Sequence, residues 1–169
     1  MLEDPDLYDY WPYHHRPKIA WPNNARLAFW VAPNIEFYEL DPPLNPSRKA
    51  WPQPYPATQG YSIRDYGNRV GHVRQMRLLD KYGIRGSISL STALCEHHPE
   101  IIQMCLEREW EFFSHGIYNT RYTYGMSEDQ EREMIEDAVN TIEKYTGRKP
   151  SGYLAPALSH SELTIDLFA

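Results

Sequence analysis

A carboxylate and an imidazole each close an apolar run in this chain. Glu36 ends the stretch RLAFWVAPNIE (26–36). His115 ends Glu111-Phe-Phe-Ser-His115, with Gly116 directly behind it. Open α/β sheets keep their chemistry at the carboxyl ends of their strands. A carboxylate and an imidazole brought together there could draw a proton from water. Burial at the end of an apolar strand is expected to raise the pKa of Glu36 toward that of a working base. Two plainer readings stand beside this one. His115 could be a hydrogen-bonded residue at a strand end, and Glu36 could be neutralised by Arg69 or Arg74. Tyr118 and Asn119, just past His115, are candidate donors to a bound substrate.

The segments that must position these residues alternate between strand and helix patterns. Strands are expected at 26–36, at Arg85–Ser91, where RGSISLS alternates, at Trp110–Ser114 and at Gly152–Leu158. Helices are expected at Arg64–Tyr82, stopped by Gly83; at Pro99–Glu109, with proline at its first position; at Ser127–Tyr145; and from Glu162 onward, capped by Ser161. Ser127 and Gln130 have capping-box spacing, and Ile135, Val139 and Ile142 form an apolar stripe. Four such β/α units imply an α/β fold with parallel strands and crossover helices. A closed barrel takes eight units and about 250 residues. The last helix ends on Leu167-Phe168-Ala169 without a stop signal. The expectation is therefore a partial (β/α) barrel, truncated at its C-terminus, whose open side is covered by a second copy in a homo-oligomer, by the proline-rich arm folding back or by a missing C-terminal half.

Eleven of the 14 prolines lie in residues 1–56, ten of them in two stretches that cannot be regular helix or central strand. They divide the chain into a Pro- and aromatic-rich arm (1–25) and a domain (26–169) interrupted by a long loop at 41–60. That loop reads as a lid or, through Trp51 and Tyr55, as a protein contact. The bulk numbers are those of a globular protein: 169 residues, 41% hydrophobic and 24% charged, with net charge -6. No basic stripe suggests nucleic acid and no apolar run suggests a membrane span. Cys95 and Cys105 lack metal spacing and read as reduced thiols in a cytoplasmic protein.

The order of segments resembles the polysaccharide deacetylase superfamily of carbohydrate esterases, and more closely its metal-independent, allantoinase-like branch. The carrying residues are Asp65-Tyr66-Gly67-Asn68-Arg69-Val70-Gly71 with Arg74, then Ser114-His115-Gly116, then Thr146-Gly147-Arg148-Lys149-Pro150 and the strand from Gly152 to Pro156. The resemblance implies a partial barrel that hydrolyses non-peptide C–N bonds of a small amide, a ureide or an N-acetyl sugar. It implies Glu36 and His115 as catalytic residues and Arg69, Tyr118 and Asn119 as substrate-binding ones. Where metal-using deacetylases carry a second acid and a second histidine, this chain has Phe37 and Asn119. Glu36 and His115 are two ligands where a catalytic zinc takes three, and Glu39 falls on the opposite strand face. No metal or other cofactor is expected. The competing reading is a catalytically inactive deacetylase-like binding or assembly protein.

Overall fold

The computed structural model describes residues 9–42 and 56–168. The proline-rich loop around Trp51 and Tyr55 thus lies outside the described residues. The centre is a parallel sheet of three strands in the order β1-β2-β3: β1 (Asn34–Ile35), β2 (Ser87–Leu90) and β3 (Glu111–Ser114). The connections are α1 (Thr58–Tyr66), α2 (His72–Lys81), α3 (Ala93–His97), α4 (Pro99–Glu107) and α5 (Glu128–Thr146), with α6 (Thr164–Phe168) at the end. This is the α/β class expected from the alternating segments. Parallel strands joined by helices are what the crossover rule demands.

The first strand is much shorter than the apolar run 26–36 suggests. Val31 makes one parallel bridge to Gly86, and regular pairing resumes only at Asn34. Pro33 has no N–H to give to the ladder, so only its oxygen pairs there, accepting from Ser89 N at 3.0 Å. Leu27, Phe29 and Trp30 precede any partner segment and are exposed. The expected fourth strand, Gly152–Leu158, shrinks to a parallel bridge between Ser114 and Tyr153. Leu154 N still donates to Ser114 O at 2.9 Å, but Ala157 and Leu158 then adopt left-handed backbone (φ 51° and 54°), which ends the extended run.

The helices follow their sequence signals more closely. Ser127 and Gln130 form the capping box, and α5 ends at Gly147. Its buried face is Met134, Ile135, Ala138 and Ile142, with Glu131 also buried. His98 precedes α4, with Pro99 inside its first turn. The short α3 was not expected from the sequence. One feature joins α1 to α2: a π-helical turn, Gly67–Gly71, which turns Asn68 inward.

The core lies between the sheet and these helices. Ile35, Ile88, Leu90 and Phe112 meet Leu94, Ile101, Ile102 and Cys105 there. Both cysteines are buried free thiols, and desolvation pushes each up to about 12. Of the apolar residues closing the chain, Phe168 stacks on Tyr153 with ring centroids 4.1 Å apart. Leu163 remains exposed.

Two glycines shape the sheet. At Gly86 a Cβ would lie 3.1 Å from the Trp110 indole. Gly116 has φ +68°, and a Cβ there would lie 2.9 Å from Pro156 Cγ. Gly116→Ala therefore combines backbone strain with a clash directly behind His115. It is expected to cost about 1–3 kcal/mol, read as a lower urea midpoint with unchanged slope.

Candidate active site

The register of the sheet decides which side chains meet. Asn34 pairs with Ser89 and Ser89 with Phe113, while Ile35 pairs with Leu90 and Leu90 with Ser114. The ladder runs one residue further. Ser91 N donates to Ile35 O at 3.0 Å and His115 N to Leu90 O at 2.8 Å. Glu36, Ser91 and His115 therefore form the next layer, on the face opposite Ile35, Leu90 and Ser114.

Glu36 and His115 stand on strands that are not neighbours. Two strand spacings separate their backbones, about 10 Å. Their side chains nevertheless meet, with His115 Nε2 3.3 Å from Glu36 Oε1. Residue 91 between them is a serine, small enough to be bridged. The same device recurs lower in the sheet, where Trp30 reaches Phe113 across the small side chains of β2, at 6.0 Å between ring centroids.

The hydrogen bonds around the pair define its proton. Leu154 O lies 2.5 Å from His115 Nδ1 and can only accept, which assigns a proton to Nδ1. Nε2 faces the carboxylate, 3.3 Å from Oε1, and makes no other polar contact. That contact is too long for a well-aligned hydrogen bond. Tyr38 Oη donates to Glu36 Oε2 at 3.0 Å, and Asn119 Nδ2 donates to Tyr38 Oη. Asn68 Nδ2 donates to the backbone oxygen of Glu36 at 3.1 Å, so the π-helical turn fixes the end of β1.

The electrostatics reverse one expectation. Contact with His115 is the largest influence on Glu36 and holds its carboxyl below the ordinary value near 4.5. Desolvation raises it, as anticipated, but is outweighed; Tyr38 and the Arg64 charge lower it further. Burial lifts the Tyr38 phenol above its usual range, and the adjacent Glu36 adds to that.

The structure thus joins Glu36, His115 and Asn119, with Asn119 reaching Glu36 through Tyr38. Tyr118 packs its ring edge-on against Phe37 at 5.9 Å and carries the Arg121 guanidinium at 4.5 Å from its centroid. Arg69 is not brought to the pair: it is exposed and binds Asp65 at 2.5 Å. Arg74 binds Tyr66 Oη at 2.8 Å. Neither arginine neutralises Glu36, whose partners are His115 and Tyr38. Glu39 is held by Arg121 at 2.7 Å and by Thr120 at 2.6 Å. Phe37, where metal-using relatives were read to carry an acid, is buried and stacks on His97 at 4.3 Å.

Sequence reading did not single out Tyr38, Arg64 or Ser91, and it held Asn68 only as part of the motif from Asp65 to Gly71. The alternation of RGSISLS does place Ser87, Ser89 and Ser91 on one face, so Ser91 could have been found. The π-helical turn that aims Asn68 leaves no periodic signal. The donor set does not fit a catalytic metal. One imidazole and one carboxylate already contact each other, and no group of three or more His, Cys, Asp or Glu side chains converges among the described residues.

The comparisons agree with this architecture. The polysaccharide deacetylase family model matches residues 61–169, and the chain belongs to that family. A peptidoglycan deacetylase of Helicobacter pylori (strain ATCC 700392 / 26695) is 28% identical over 102 residues, 60% of this chain and 34% of that protein. The chain thus spans about a third of that relative's length. In fold it is similar to the crystal structure of Puue allantoinase, with TM-score 0.73 and 24% identity, over 98% of this chain and 57% of that one. It is similarly close to a probable polysaccharide deacetylase from Pseudomonas aeruginosa PAO1, with TM-score 0.72 and 23% identity, over 95% of this chain and 57% of that one.

Two measurements test the site. Ser91→Leu should wedge Glu36 from His115 and destabilise the fold by about 1–3 kcal/mol. Freed from His115, the Glu36 carboxyl should titrate higher, as read by NMR of labelled glutamate. Ser91→Ala should leave that titration in place. The second concerns acid stability. The folded pKa of Glu36 is depressed, so its contribution is present above the ordinary value near 4.5 and is lost as pH falls through the folded one. The stability gap between wild type and Glu36→Gln should narrow on acidification, measured by urea unfolding at stepped pH.

Proposed function

We propose that this chain carries the acid–base centre of a deacetylase-type hydrolase acting on a non-peptide C–N bond, and that this centre works without a transition metal. The observation that carries the reading is the Glu36–His115 contact backed by Leu154 O. A carboxylate is held ionised beside an imidazole, at the carboxyl end of a parallel sheet, in a chain of this family. A small-molecule amide, a ureide or an N-acetyl sugar is the substrate class this supports. Use of the site in a homo-oligomer is part of the same proposal.

The two residues have different access. The Glu36 side chain is 27% exposed, and His115 lies behind it at 4%. Glu36 therefore meets water and substrate, and His115 acts through it. In the proposed reaction the Glu36 carboxylate takes a proton from water as the water oxygen bonds to the acyl carbon. The C–N bond then breaks, and the same proton passes from Glu36 to the departing nitrogen. The products are a carboxylic acid and an amine, with no proton left over. His115, oriented by Leu154 O at its Nδ1, steadies the carboxylate between the two transfers. Tyr118 and Asn119 are the nearby donors proposed for the substrate and its oxyanion.

The alternative, a catalytically inactive binding or assembly protein, makes the opposite prediction for turnover. Purified protein treated with chelator should hydrolyse an N-acetyl or ureide substrate. Glu36→Gln should then reduce kcat/KM about a hundredfold or more. His115→Ala should also move the acid limb of the pH–rate profile to higher pH, because the contact that depresses the Glu36 pKa is gone. Activity untouched by Glu36→Gln, or dependent on added metal, would remove this reading.

A further inference from the structure

Among the described residues, Arg64 is a cation at the mouth of this site without an acidic partner. Its guanidinium lies over the Tyr38 ring, 4.1 Å from the centroid. Nη1 donates to Gly60 O at 3.2 Å, a bond within its own helix. The guanidinium also hydrogen-bonds the Tyr38 phenol, and no carboxylate among the described residues forms an ion pair with it. The other arginines around the site are spoken for: Arg69 by Asp65 and Arg121 by Glu39. Glu36 does not take Arg64 either, since Oε1 faces His115 and Oε2 accepts from Tyr38.

Among the described residues, Arg64 thus brings to the mouth of the site a positive charge that no carboxylate contacts, in a protein whose net charge is -6. Stacking on a tyrosine face holds a guanidinium flat and leaves its donor edge open. Coplanar donors of that kind match the two oxygens of a carboxylate.

We infer that Arg64 is a specificity residue that binds a carboxylate on the substrate, so that the site prefers amides or ureides of small acids over neutral ones. The bound carboxylate lies over the Arg64 edge, and the scissile C–N bond lies over Glu36. This deepens the proposed function and rests on it for the reaction, but not for the binding step.

Equilibrium binding therefore makes the test. N-acetylglycine and its neutral counterpart N-acetylglycinamide are titrated into wild type, Arg64→Gln and Arg64→Lys by calorimetry or NMR. Wild type should bind the acid at least about fivefold more tightly, as one half-exposed, charge-assisted contact allows. Arg64→Gln should abolish the preference, and Arg64→Lys should retain part of it. The wild-type preference should also shrink as ionic strength rises. Arg64 is exposed, so both variants are expected to fold; circular dichroism checks this, and the salt series stands without either. Equal affinity for the two ligands, a preference that survives in Arg64→Gln, or no binding of either would overturn the inference. An intact preference without turnover would instead count against the proposed hydrolysis alone.

Discussion

The site depends on a small residue in the middle of the sheet. Parallel strands set side chains of one layer about 5 Å apart, so residues on first and third strands do not ordinarily touch. Here β2 presents Ser87, Ser89 and Ser91 to that face, and the flanking strands reach over them. Glu36 meets His115 across Ser91, and Trp30 approaches Phe113 further down. A barrel interior is normally filled by bulky branched residues in layers. A stripe of serines gives up that packing and obtains in exchange a polar pair spanning two strand spacings.

Such a pair holds only if everything behind it is fixed. A one-residue slip of β3 would send His115 to the helix side and bring Ser114 or Gly116 into the layer. The register is guarded by the buried alternation of Ile88 and Leu90 against Phe112 on the opposite face. It is also guarded by Gly116, whose left-handed backbone and contact with Pro156 set where the chain leaves the strand. Leu154 O orients the imidazole from the fourth extended segment, and Asn68 ties down the end of β1. The π-helical turn that delivers Asn68 is a local departure from regular helix, and such turns recur where a side chain must be aimed at a site.

Much of this was legible in the sequence. Element order, the parallel class, the α5 capping box and Gly83 as a helix stop follow from short-range signals, and the structure keeps them. The pairing of Glu36 with His115 followed from strand ends and family order. Strand lengths did not, because an apolar run says nothing about whether a partner exists: Leu27 and Phe29 look like core and are exposed. The direction of the Glu36 shift also failed. Desolvation is readable from a flanking apolar run, whereas the imidazole contact that outweighs it depends on a side chain 79 positions away whose reach is set by Ser91. Arg69 was read toward the site from its motif, yet its nearest acid, Asp65, is one helical turn away and captures it.

That capture explains why the cation at the site is Arg64 and not Arg69. On a helix, an arginine four residues after an aspartate has a partner before any tertiary contact forms. Arg64 has only glycine at the corresponding earlier position, Gly60, and bonds its backbone oxygen. Its charge is left over, and the Tyr38 face that receives it is the same phenol that hydrogen-bonds Glu36. The Glu36 carboxylate and the Arg64 guanidinium are thus linked through one side chain. A ligand that engages Arg64 presses on Tyr38, and Tyr38 in turn supports one oxygen of Glu36. In the proposed site, recognition of an anionic group by Arg64 and the ionisation of Glu36 are joined through that ring.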